Sequence, residues 1–188
     1  MAQLKEGRNS WVTRGSALKY ETPWISVTEH DVLNPAGNPS IYGVVSFKNL
    51  AIGVLPLDEK YNTWLVGQWR YPLGQYSWEI PEGGGPKGEE PLDSAKRELK
   101  EETGLIAKEY TEICRIHTSN SVSDEYAIIY AAKGLTQAEA EPEDSEDLQV
   151  RKVSFEEAFH MVMRGEITDS LSVAGILKAK LLIEQGEL

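Results

Sequence analysis

Residues 83–105 read GGGPKGEEPLDSAKRELKEETGL, and the reading of this stretch decides the rest. Four of its first six residues, Gly83, Gly84, Gly85 and Gly88, lack side-chain bulk, so a loop here lets backbone approach a phosphate or a metal ion closely. Pro91 suits the first turn of a helix, where its missing N–H is not needed. Gly104 is a helix stop. At 100° per residue, Leu92, Ala95, Leu99 and Thr103 form one stripe that can pack on a sheet. Glu98, Glu101 and Glu102, spaced i, i+3, i+4, share the adjoining face. Carboxylates that close repel one another unless cations neutralise them, and among basic neighbours the spacing brings only Lys100 near. Arg97 precedes the cluster and is placed to hold one carboxylate in a bidentate grip. The pattern predicts an all-oxygen cage for a hard divalent cation, and with it metal-dependent phosphate chemistry.

The 188 residues and 40% hydrophobic content favour one domain with a substantial core and a small appendage. The net charge of -11 argues against a general nucleic-acid or anionic-membrane binder, because both need a basic surface. It leaves room for a phosphorylated substrate, since bound metal ions reverse the local field. Cys114 is the single cysteine, so no intramolecular disulfide forms, and its alternating surroundings suit a small core residue. The first twelve residues lack a hydrophobic targeting core, and no apolar stretch is long enough to span a bilayer. A soluble, cytoplasmic protein is expected.

Outward from the central stretch, alternating segments at 11–20, 24–33, 41–47, 51–57, 63–69 and 76–80 read as strands, with a dense turn signal over residues 34–39. Strands follow near 107–116, 125–132 and 149–153. Residues 155–164 and 171–184 read as helices, the first with Ser154 as N-cap and Glu157 three residues on. Many strands with a few helices, not strictly alternating, predict an α/β (α+β) fold, a mixed β-sheet in an αβα sandwich.

Gly83, Glu89, Arg97-Glu98-Leu99, Glu101-Glu102 and Gly104-Leu105 fill every fixed position of the Nudix box, Gx5Ex7REUxEExGU, and the chain thus resembles the Nudix hydrolase superfamily. The flanks Tyr20-Glu21-Thr22-Pro23-Trp24-Ile25, Gln68-Trp69-Arg70-Tyr71-Pro72 and Trp78-Glu79-Ile80-Pro81-Glu82 resemble its ADP-ribose and nucleoside-diphosphate-sugar pyrophosphatase branch over about residues 18–160. The resemblance implies a Nudix fold with an N-terminal antiparallel strand extension, residues 1–40, expected to dimerise by strand exchange, and a hydrolase domain, residues 41–188.

The resemblance also implies roles. Glu98 and Glu102 look like the main Mg²⁺ ligands (Mn²⁺ as a substitute), Glu101 shares the metal, and the backbone carbonyl of Glu82 is a further ligand. Arg97 orients the carboxylates, and Glu89 supports the loop and helix. Trp24 and Tyr20 are candidates for stacking a base, Arg70 for contacting substrate, and Trp78 for a pocket wall or the core. Relatives place a catalytic base in the acidic segment here spanning residues 137–147, which points to Glu146, with Glu143 second.

The implied reaction is Mg²⁺-dependent hydrolysis of a nucleoside diphosphate sugar, such as ADP-ribose or GDP-mannose, to nucleoside monophosphate and sugar phosphate by a homodimer, with neither nucleic acid nor membrane as partner. Hydrolysis of a dinucleoside polyphosphate and a non-catalytic sensor are the alternatives; the intact set of acids disfavours the sensor. Asn120 stands where ADP-ribose-preferring members carry a proline, which leaves the choice of sugar open.

Overall fold

The computed structural model describes residue 7, residues 9–139 and residues 147–188. They form two compact units, one of residues up to 48 together with 119–124, the other of residues 49–118 and 125–188.

The first unit is an antiparallel meander of β1 (Val12–Glu21), β2 (Ile25–Leu33) and β3 (Pro39–Phe47). Its turns follow from local chemistry. Thr22 Oγ1 accepts from the backbone N–H groups of Trp24 and Ile25. Asn34 Oδ1 accepts from those of Ala36 and Asn38, a side chain standing in for backbone at a reversal. Residues 119–124, distant in sequence, join this unit: Val45 N–H donates to the Val122 carbonyl at 2.9 Å, and Phe47 N–H to Asp124 Oδ1 at 2.8 Å. Asn120 therefore lies in a segment that edges β3 of this unit.

In the second unit, β4 (Asn49–Pro56), β5 (Asn62–Arg70), β6 (Gln75–Glu79) and β7 (Glu82–Pro86) precede helix α1 (Pro91–Thr103). There follow β8 (Leu105–Ile106), β9 (Glu109–His117), β10 (Tyr126–Lys133), β11 (Thr136–Gln137) and β12 (Gln149–Ser154), then α2 (Phe155–Met163) and α3 (Ser170–Gln185). One sheet has the order β7-β4-β10-β9, a second β12-β5-β6, and β11 pairs β8. The first is mixed, because β4 and β10 run parallel while their outer neighbours run antiparallel.

Period-two alternation along β4 and β10 builds a core on each face. Ile52, Val54, Ile128, Tyr130 and Ala132 meet Ala95 and Leu99 of α1. Leu55, Ala127, Ile129 and Ala131 turn the other way, into the cluster of Phe155 and Ala158 of α2 and Leu171, Ile176 and Ala179 of α3. This is the expected αβα layering.

Most expected elements appear within a few residues of their predicted bounds. Ser154 caps α2 by accepting from Glu157 N–H at 3.1 Å. Gly104 closes α1 in the left-handed conformation, φ 69°. The glycine-rich stretch is a correction: residues 82–86 are not a loop but strand β7, paired antiparallel with β4 through Ile52↔Gly83 and Leu50↔Gly85. Glycine has a low strand propensity, yet here the absent side chains let α1 lie on the strand. A Cβ at Gly85 would stand 2.9 Å from Ile52 Cγ1 and 3.0 Å from Ser94 Oγ of α1. Cys114 is half-buried at the edge of the α3-side core rather than inside it.

Leu99 is fully buried between α1 and the sheet. Leu99→Ala should lower unfolding free energy by about 2–5 kcal/mol in urea denaturation. A loss below about 1 kcal/mol would mean that α1 is not anchored through this side chain.

Candidate active site

Helix α1 brings the acids of the central stretch against the first residues of β7. The Glu98 side chain is 8% exposed, and its carboxylate rests on the α-carbon of Gly83: a Cβ there would stand 2.3 Å from its carboxyl atoms. Only glycine permits that approach. Glu102, 2% exposed, accepts the Glu82 N–H through Oε2 at 2.9 Å. Glu101 is half-buried beside them.

Arg97 corrects two expectations. Its guanidinium is not a bidentate clamp on one carboxylate. It bridges two, donating to Glu98 Oε1 at 2.6 Å and Glu101 Oε2 at 2.7 Å, and also to the Gly84 carbonyl at 2.9 Å. The carboxylates therefore do have an arginine among them, reached from the preceding residue and from one turn back. Among the described residues, no three acids, histidines or cysteines already stand as a cation cage, consistent with Arg97 engaging two of the three helix acids. The residues nonetheless fit a divalent cation. Every candidate donor is an oxygen, the preference of a hard cation.

A second charged group lies where β5, β6 and β7 meet. Arg70 Nε donates to both carboxylate oxygens of Glu79, at 2.9 and 3.1 Å, and its Nη2 to Glu82 Oε1 at 3.0 Å. Glu79 is 2% exposed. Burial, then the Asp169 and Glu79 charges, push the Glu82 carboxyl well above its usual range, against the opposing pull of Arg70. For Arg70, burial favours the neutral form, but Glu79 and Glu82 outweigh it and raise its guanidinium further. A cavity of about 440 Å³ opens on this group, lined among others by Arg70, Leu73, Ser77, Glu125 and Asp169, a volume typical of small-molecule sites. A cavity of similar size, about 450 Å³, is lined by Asp58, Lys60, Lys108, Thr136 and Lys152; Glu98, Glu101 and Glu102 line neither cavity, and only the first includes Glu82, the residue before Gly83.

Of the four expected substrate contacts, Arg70 alone lines the acidic cavity. Trp78 packs on the core, edge-to-face with Tyr76 at 5.6 Å between ring centroids. Tyr20 and Trp24 belong to the first unit and are 58% and 70% exposed. Glu89 is exposed and turns the chain before α1, its N–H donating to the Pro86 carbonyl. Glu146 and Glu143 lie outside the described residues. Glu79, Glu125 and Asp169 were not anticipated. Glu79 carried a signal, an acid on the inward phase of an alternating strand next to Trp78 and Ile80; Glu125 and Asp169 carried none, because only the fold brings them here.

The NUDIX domain family model matches residues 47–171, and the model of the nucleoside diphosphate sugar hydrolase N-terminal domain matches residues 11–45. The chain is 35% identical to the ADP-ribose pyrophosphatase of Bacillus subtilis (strain 168) over 154 residues, 81% of this chain and 83% of that protein. It is 32% identical to the methanol dehydrogenase activator of Bacillus methanolicus over 148 residues, 78% of this chain and 80% of that protein. Among solved structures, an ADP compounds hydrolase superimposes with a TM-score of 0.83 at 18% identity, covering 95% of this chain and 97% of the other; at that identity the likeness is one of fold.

The Glu98–Gly83 contact is directly testable. Glu98 is held by Arg97, so it makes room for a methyl group only by leaving that grip. Gly83→Ala should cost about 1–3 kcal/mol of stability by overpacking, read from chemical denaturation. A wild-type midpoint would show that the carboxylate does not sit on the α-carbon.

Proposed function

The chain belongs to the Nudix family, and we propose that it hydrolyses the pyrophosphate linkage of a nucleoside diphosphate sugar, ADP-ribose or GDP-mannose among them, with Mg²⁺ as cofactor. One observation carries this reading: α1 packs Glu98 onto the bare backbone of Gly83 and Glu102 onto the N–H of Glu82, which also lines a cavity of about 440 Å³ with Arg70. The match of residues 11–45 to a nucleoside diphosphate sugar hydrolase N-terminal domain favours a nucleotide sugar over a dinucleoside polyphosphate. The methanol dehydrogenase activator among the relatives shows that the family's named roles vary, but the full set of box acids here favours turnover over sensing.

In this reading Glu98 and Glu102, with Glu101 and the carbonyl of Glu82, hold the metal. When bound, the ion neutralises charge that develops on the phosphates and lowers the pKa of a coordinated water. Arg97 keeps Glu98 and Glu101 oriented, at hydrogen-bond distance from both. Arg70 presents a cationic edge to the cavity while anchored by Glu79. Glu146 is assigned as the base that takes the proton of the attacking water, with Glu143 second. Water adds to one phosphorus, the bridging oxygen leaves with the other phosphate, and two phosphomonoesters result. Trp24 and Tyr20 serve as stacking surfaces for the base.

We assign the first unit to dimerisation. All ten residues of β1 are exposed, and β1 is an edge strand of its sheet. A long exposed edge with Leu18 and Tyr20 turned outward, followed by Trp24 exposed in the next turn, invites a partner strand. A second copy of the chain, exchanging this segment, is the proposed occupant. No helix among the described residues is long and apolar enough to cross a membrane.

Two measurements test the proposal. ADP-ribose, GDP-mannose, UDP-glucose, ADP-glucose, NADH and diadenosine polyphosphates, each with Mg²⁺, are assayed for new phosphomonoesters. A sugar nucleotide should be cleaved fastest, and Glu102→Gln should abolish that turnover with an unchanged circular dichroism spectrum. Near wild-type rates in the variant would remove the metal assignment. Sedimentation should give a dimer; a stable, active monomer would contradict strand exchange.

A further inference from the structure

Between β6 and β7 the chain changes sheets over Glu79-Ile80-Pro81-Glu82. This crossing leads directly into Gly83, and its backbone is tied at three points. The Pro81 carbonyl accepts from Val54 N–H at 2.8 Å. Glu82 N–H donates to Glu102 Oε2 at 2.9 Å. Ile80 N–H donates to Ser172 Oγ at 2.9 Å, across 92 residues of sequence. The first tie belongs to the sheet and the second to the box helix. The third comes from an element that no part of the proposed chemistry uses.

Ser172 is fully buried, 0% exposed, in the first turn of α3. Its own N–H donates to Asp169 Oδ2 at 2.8 Å, the N-cap interaction of that helix. The cap holds the Ser172 backbone, while its hydroxyl oxygen separately accepts from Ile80. The neighbouring Leu171 braces the same region: its Cδ2 lies 3.3 Å from where a Cβ of Gly53 would be, and Gly53 is the register partner of Glu82. The capped end of α3 therefore presses on the strand opposite Glu82 and binds the residue two before it.

We propose that Ser172, fixed by the Asp169 cap, is a positioning residue for the metal site: it sets the place of the Glu82 backbone carbonyl without touching metal or substrate. The inference rests on the metal reading above. The plainer role for a buried serine is to satisfy one buried N–H, which affects stability alone. A positioning role differs because outer-shell contacts tune metal affinity, typically by about 10–100-fold when removed.

The test is a Mn²⁺ titration of the purified protein without substrate, followed by electron paramagnetic resonance of the free ion, on wild type, Ser172→Ala and Ser172→Thr. Wild type binds. Ser172→Ala should bind about tenfold more weakly, and Ser172→Thr, which keeps the hydroxyl, should recover most of that loss. Equal affinity in wild type and Ser172→Ala, within about twofold and with a lowered melting temperature, would reduce Ser172 to a structural serine. Absence of binding by the wild type would instead overturn the metal reading, and this inference with it.

If Ser172→Ala does not fold, amide hydrogen exchange on the wild type decides. Saturating Mn²⁺ should slow exchange at Ile80 more than at Ile129, a buried amide of the same core. Equal slowing at both would mean that the metal stabilises the fold globally, and would overturn the proposal.

Discussion

The Glu98 carboxylate lies on the bare α-carbon of Gly83, where a Cβ would stand 2.3 Å away. That contact limits how closely α1 approaches β7, and much of the second unit follows from it. With α1 seated, Ala95 and Leu99 reach Ile52, Val54 and Ile128, and Glu102 reaches the Glu82 N–H. A larger residue at position 83 would lift the helix or turn the acid away. Packing and chemistry are therefore set by the same missing side chain, which is why a strand so poor in intrinsic propensity is retained.

The site also balances charge within a chain of net charge -11. Glu98, Glu101 and Glu102 on one helix face, with Glu79, Glu82 and Asp169 near the cavity, would be destabilising if left alone. Two arginines offset much of this. Arg97 spans Glu98 and Glu101, and Arg70 spans Glu79 and Glu82. Arg97 serves its two carboxylates through separate nitrogens, whereas Arg70 holds Glu79 through Nε and Nη2 and shares Nη2 with Glu82; a lysine point charge reproduces neither geometry. In the proposed reading, a divalent cation at Glu98 and Glu101 would compete with Arg97 for the same oxygens, coupling metal binding to the orientation of Arg97.

Sequence carried the local features well. The capping serine at 154, the stop at Gly104, the apolar stripe Leu92-Ala95-Leu99-Thr103 and the acidic face of α1 all follow from periodicity and backbone preference, which depend on near neighbours. It misread residues 82–86 because three successive glycines have no pattern of their own, and the strand exists through its pairing with β4. The reach of Arg97 to Glu98 as well as Glu101 was hidden because adjacent residues are not ordinarily neighbours on a helix face. Asp169, Ser172 and Glu125 were invisible for a different reason. Ser172 meets Ile80, and Asp169 and Glu125 share a cavity with Glu82, only once the chain has crossed between sheets, and no local spacing encodes that meeting.

The central claim is that the α1 acids and the Glu82 carbonyl converge on one divalent cation. Anomalous diffraction from crystals soaked in Mn²⁺ tests it most directly. The account predicts a peak in direct contact with Glu98, Glu102 and the Glu82 carbonyl, with Arg97 withdrawn from at least one of its carboxylates. A peak elsewhere, or a fully loaded crystal in which Arg97 still holds both Glu98 and Glu101 and no ion lies between the acids, would contradict it.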